Sequence, residues 1–269
     1  VKSVWEGIVE KDGEYYAACD EEFLKKIKEN SDYTKLADHS KLDLRVIPLH
    51  FIGNVRKAKL LILNLNPGID EGYYTFYQNN KPYQEMIYKN LTLEKPKFFE
   101  FDYYSTNNEG YWSRLKPLFE DEYLEKINRN QSRLKPLFED EYLEKINRNQ
   151  NSEATKKLDE FFTKTVALIE FFPYHSQNFS ELGDIFDKTV KEMKGYLPSQ
   201  QFVFNIIKER VQNGDVVIVF SRSIGRWMEA IPELKVYDKV YQSSNPRNPT
   251  FKPENILKRN MGKDLLDII

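Results

Sequence analysis

The stretch from Leu60 to Tyr74, LLILNLNPGIDEGYY, decides the fold. Its aliphatic residues follow one another without alternation, which fits a strand buried on both faces, as in the interior of a parallel sheet. The run then gives way to Asn64, Leu65, Asn66, a Pro67-Gly68 pair, an acidic loop, and Tyr73 and Tyr74. A strand that only filled a core could end on any polar residue. Amides, a chain-breaking pair and aromatics together read as a strand end built to hold a ligand.

Outward from this strand, AKLLILNLN (58–66), the pattern recurs. Buried runs lie at 166–174 (VALIEFFPY) and 215–221 (DVVIVFS), and a fourth strand at 239–245 (KVYQSSN). Helical patterns cover 20–30, 156–165, 181–197, 199–214 closed by Gly214, 223–231, and 253–269 opened by Pro253. LRVIPLHFIG (44–53) is strand-like, with Pro48 marking an edge or a bulge. Strands alternating with helices imply an α/β domain of three α/β/α layers around a mostly parallel four-stranded sheet. Such sheets bind ligands outside the carboxyl ends of their strands. Four segments therefore become candidates together: NLNPG (64–68), EFFPYHS (170–176), FSRSIGR (220–226) and SSNPRNP (243–249).

The length of 269 residues suits a single domain over 1–269. Forty basic and 42 acidic residues leave a net charge of −2. No global field draws the chain to nucleic acid, so any DNA contact must be a local patch. The segment 247–263 is such a patch, its basic residues Arg247, Lys252, Lys258, Arg259 and Lys263 facing a single acid, Glu254. Cys19 is the only cysteine, which rules out an intrachain disulfide and fits a reducing cytoplasm. No apolar run approaches the ~20 residues of a membrane span, and the start at Val1 reads as a trimmed end without a signal-peptide pattern. The aromatic content, 17 Tyr and 18 Phe, fits either stacking surfaces or a bulky core.

One feature is foreign to this pattern. SRLKPLFEDEYLEKINRNQ occurs twice in tandem, at 113–131 and 132–150, with every residue identical. A period of 19 residues ends about 100° past five helical turns, so one continuous helix would move the second copy's Leu and Phe to another face. Two separate helices are expected, one of them surplus to the core. Catalytic residues are not expected there.

The strand ends carry no Gly-rich dinucleotide or phosphate loop and no G-x-S-x-G elbow. His39, His50 and His175 lack metal-ligand spacing, so neither a metal nor a cofactor is expected. Ser223 reads as the cap of the helix from 223. That leaves amides. Asn66 could hold a water or read a ligand's polar edge, since an amide is donor and acceptor at once, or it could bond its own turn. Asn64 could equally be the polar end of a strand.

LNLNPG followed by SSNPRNP resembles the signature loops of the uracil-DNA glycosylase superfamily, in its mismatch-specific and single-strand-selective branches. Asn66, Pro67 and Gly68 match the first loop, and Pro246, Arg247, Asn248 and Pro249 the second. Asn64 stands where the family has a glycine, and Ser243 where its second loop begins with histidine. The resemblance implies a uracil-DNA glycosylase-like fold, a flipped base and hydrolysis of its N-glycosidic bond. It implies catalytic roles for Asn66, placing the water, and Ser243, facing the leaving base. It implies substrate contacts from Asn64, Gly68, Tyr73, Tyr74, His175, Arg247 and Asn248, with DNA as partner. Phe76 is a further candidate for stacking. The structural alternatives stay open: tyrosines packed under the loop, Arg247 capping a strand end, His175 bonded within its loop. So does the functional one, a non-catalytic protein of this fold that binds a nucleobase, nucleotide, DNA or protein.

Overall fold

The computed structural model describes residues 2–98 and 164–245 and the backbone of 256–258. The tandem repeat, residues 156–163 of the helix expected over 156–165, and Arg247 and Asn248 lie outside the described residues, while Lys164 and Thr165 are helical.

The chain opens with a hairpin, β1 (Ile8–Lys11) and β2 (Glu14–Ala17). Its two-residue turn, Asp12-Gly13, holds both residues at positive φ (54° and 77°), which suits the twist of a tight hairpin. Helix α1 (Glu21–Glu29) buries Phe23, Leu24 and Ile27, the apolar side seen in its sequence.

The main sheet has six strands in the order β3-β5-β4-β6-β7-β8. They are β3 (Phe51–Ile52), β4 (Leu60–Leu63), β5 (Val166–Ile169), β6 (Val217–Phe220), β7 (Val240–Ser243) and β8 (Ile256–Lys258). The inner four, β5-β4-β6-β7, are mutually parallel and are the four strands expected, three of them from buried apolar runs and β7 within KVYQSSN (239–245). Every residue of β4, β5 and β6 is buried, so both faces of the sheet are covered.

Two expectations are corrected. The sheet is not four-stranded, because antiparallel β3 and β8 close its two edges. The segment 253–269 is not one continuous helix, because Ile256–Lys258 pairs with Tyr241–Ser243. Ladder pairing against an open edge outweighs the helical pattern there. At the other edge, Pro48 precedes a strand of two residues. Asn90 covers that edge, with Nδ2 donating to Phe51 O (2.6 Å) and Oδ1 accepting from Gly53 N (3.1 Å). Gly53 is required: its φ is +91°, and a Cβ there would lie 2.6 Å from Val166 O.

The remaining helices are α2 (Glu71–Gln78), α3 (Lys81–Leu91), α4 (Phe179–Met193), α5 (Pro198–Asn213) and α6 (Ile224–Ala230). Helices α4, α5 and α6 meet around Phe171, whose ring lies 5.1 Å from Trp227, 5.6 Å from Phe204 and 6.1 Å from Phe186. The abundant aromatics are therefore largely core here. Buried Asp20 ties the N-terminal unit to this layer, accepting from Tyr174 OH (2.8 Å) and from Ser199 N (3.0 Å) in the first turn of α5. Among the described residues no helix is long and apolar enough to cross a membrane.

Candidate functional site

The carboxyl ends of the four parallel strands share one edge of the sheet. Leu63 pairs with Ile169 on one side and Phe220 on the other, and Phe220 pairs with Gln242. The next residue on each strand therefore forms a single cross-strand row: Glu170, Asn64, Ser221 and Ser243. All four are buried. Asn64 Nδ2 donates to Glu170 Oε1 (2.9 Å), and Asn64 Oδ1 accepts from Ser221 Oγ (3.3 Å). From the adjacent α6, Trp227 Nε1 donates to the Asn64 carbonyl (2.7 Å). Register thus brings Asn64 and Ser243 into one row, about two strand spacings or ~10 Å apart.

Ser243 is the last residue of β7 and its Oγ accepts from Asn245 N (3.3 Å), so it shapes the exit of the strand. Asn64 has both ends of its amide engaged, as a strand-end reading anticipates. Asn66 lies beyond the row and is half-buried. Its Nδ2 donates to Pro67 O (3.1 Å) and Ser176 O (3.0 Å), which fixes the amide plane and leaves Oδ1 without a partner among the described residues.

The loop 64–70 is not a tight Pro-Gly turn. It has a bend at Leu65 and no turn at 67–68, Gly68 has no positive φ, and a Cβ on it would meet nothing within 4 Å. Its carbonyls, rather than its amides, face the segment after β5. Pro67 O accepts from Ser176 N (3.3 Å), and Gly68 O lies 3.2 Å from His175 Nδ1.

The tyrosines stand on helix α2, capped by Asp70, whose Oδ1 accepts from Tyr73 N (2.6 Å). They are not in a loop. Tyr73 is buried, in ring contact with Tyr77, Tyr83 and His175. The half-buried Tyr74 carries the Arg45 guanidinium 4.1 Å over its ring. Phe76 packs edge-on against Tyr83. The structure therefore gathers Asn66, Gly68, Tyr73 and His175 around one loop, with Asn64 and Ser243 in the row behind it. Tyr74 faces Arg45 on another side.

His175 is buried, and its Nε2 lies 3.3 Å from Ile47 O. Burial pushes its pKa down, while the two carbonyls and Asp43 pull the other way. Beside it, a cleft of about 260 Å³ opens between segment 38–45, the start of α2 and Gln177. Asp38, Asp43, Asp70 and Glu71 line it against Lys41 and Arg45, which suits an uncharged or cationic ligand better than a phosphate. Burial works against the Asp43 charge, yet its hydrogen bonds to Arg45 hold the carboxyl below its ordinary value.

Sequence reasoning placed Glu170, Ser176 and Ser221 within its candidate strand-end segments but singled out none of them. Glu170 had a signal, a carboxylate inside an otherwise apolar strand run. Ser221 and Ser176 had none. No His/Cys/Asp/Glu cluster suited to a metal occurs among the described residues. In comparison with known proteins, the chain matches no family model, no curated sequence and no solved structure.

Proposed function

We propose that the chain is a DNA-base-recognising protein that hydrolyses the N-glycosidic bond of uracil or another modified base. The arrangement supporting this most is that the N-P-G loop and residues 243–245, which open the S-S-N-P-R-N-P motif, leave the sheet from one carboxyl edge. Asn66 stands in front of a polar row that includes Ser243. In this reading the sheet and its covering helices form a uracil-DNA glycosylase-like three-layer domain, acting without cofactor on cytoplasmic DNA.

The chemistry asked of Asn66 is placement. Its Nδ2 is held by Pro67 O and Ser176 O, so Oδ1 has a fixed direction in which to accept from a water. An amide does not deprotonate that water at neutral pH. Rate enhancement then comes from orientation as water attacks C1′, the base departs with the bonding electrons, and the water's proton passes to solvent or to the departing base anion. The partner DNA would be held weakly and in a salt-sensitive way by the basic segment 247–263, whose few charges neutralise few phosphates.

A second reading has specific support: a non-catalytic protein of this architecture that binds a nucleobase, nucleotide, DNA or protein. Asn64 is already satisfied by Glu170 and Ser221, Tyr73 is packed, and the neighbouring cleft is acidic. One experiment separates the two. Oligonucleotides bearing uracil or hypoxanthine are incubated with wild-type protein and with Asn66→Ala, and abasic sites are measured alongside melting and DNA binding. The enzyme reading expects base release by the wild type and none by the variant, with DNA binding near wild type and melting lowered only by the loss of the two Nδ2 hydrogen bonds, about 1 kcal/mol each. Absence of release from every substrate leaves the binding reading.

A further inference from the structure

His175 joins three segments at the N-P-G loop. Its Nδ1 lies 3.2 Å from Gly68 O and its Nε2 3.3 Å from Ile47 O. Its ring packs at 5.6 Å and 32° on Tyr73 of α2, and its backbone carbonyl accepts from Asp43 N (2.9 Å). A carbonyl only accepts. A neutral imidazole has one N–H and one lone pair, so it can serve one of these carbonyls and must turn a lone pair toward the other. Only the imidazolium donates to both. We propose that His175 is a protonation-dependent latch for the Asn66 loop, fastening Gly68 and Ile47 together only when both ring nitrogens carry protons.

The proton comes from solvent and adds to whichever nitrogen lacks it. Three elements carry charge around the cleft beside the ring. Asp43 and Arg45 lie on the segment before β3, with Asp38, His39 and Lys41 on the turn before that. Asp70 and Glu71 start α2. Among them Asp43 acts on His175 directly and favours the charged form, while burial opposes it. The neutral form leaves Gly68 O or Ile47 O facing a lone pair. The loop that carries Asn66 is then held by the Leu65 O bond from Phe172 N, its Ser176 contacts and at most one ring bond, with Gly68 and Ile47 no longer fastened to each other. Acidification thus tightens this loop while other buried groups weaken the fold.

The latch stands on geometry alone and does not require base release, so it fails or holds independently of the proposed activity. Side-chain ¹⁵N spectra of the full chain, taken from pH 8 to 4.5, report the protonation state of His175, assigned with His175→Gln. Hydrogen exchange reports the loop. The expected result is conversion of His175 from one neutral tautomer to imidazolium. Amide protection in 65–74 should then rise about tenfold relative to α5, the size of one added hydrogen bond to a charged group. The rise should vanish in His175→Gln. A ring that stays neutral over the whole range overturns the proposal, as does loop protection that ignores its protonation. If the variant does not fold, the wild-type titration and exchange decide alone.

Discussion

His50 makes the fold acid-labile in a way that can be calculated. The ring is fully buried against Trp5 (5.6 Å, edge-on) and Phe51, and neither ring nitrogen has a hydrogen-bond partner among the described residues. Burial alone lowers its pKa to about 3. The unfolded chain has an ordinary histidine near 6.5. A depressed folded value means that stability is intact above about pH 6.5 and is lost as pH falls, because only the unfolded state takes up the proton. At 1.36 kcal/mol per pH unit the loss is about 1.4 kcal/mol at pH 5.5 and about 2.7 kcal/mol at pH 4.5. These figures hold for any folded value below about 4. His50→Leu keeps the volume and removes the titration. Urea unfolding of both proteins, followed by circular dichroism at pH 7.0, 5.5 and 4.5, gives their stability difference. Groups common to both proteins cancel. The variant should gain on the wild type by about 2.5 kcal/mol between pH 7.0 and 4.5. A difference that does not move with pH would refute a buried, neutral, unpartnered His50.

Further outcomes follow from single contacts. Gly53→Ala combines a left-handed φ with backbone 2.6 Å from the new Cβ, and chemical unfolding should show a loss of more than about 2 kcal/mol. Asp20→Ala strands Tyr174 OH and Ser199 N, for a loss of about 3 kcal/mol. Burial raises the Asp20 pKa, so its ionisation cost grows as pH rises, opposite in sign to His50, and urea titrations of both variants against pH should diverge. Asn64→Asp would set a second carboxyl against Glu170. Its melting temperature should fall well below wild type at pH 7 and recover part of the difference at pH 5, where the pair shares a proton. Deleting one copy of the 19-residue repeat should leave the circular dichroism spectrum and melting temperature nearly unchanged, and an insoluble product would show that both copies are structural.

What the sequence determined by itself is the parallel heart of the sheet. The runs at 60–63, 166–169 and 217–220 are apolar at every position, and a segment buried on both faces has no other pattern available. The apolar faces of α1, α4 and α5 were legible for a similar reason, since one face must be apolar to pack. The hairpin turn Asp12-Gly13 and the caps Asp70 and Asn80 were readable signals that the dense tyrosines of α2 and α3 obscured. Only tertiary structure decided the rest. Whether 256–258 is helix or strand depends on the free edge of β7, which lies far from any local propensity. The row Glu170, Asn64, Ser221 and Ser243 exists because four strands stop in register. Register is a relation between segments more than a hundred residues apart, as the Asn64 to Glu170 and Asn64 to Ser221 bonds span 106 and 157 residues. The same holds for His175. Its pattern in PYHS marks a polar loop residue, but that both of its nitrogens meet acceptors is settled by how Ile47 and Gly68 close around it.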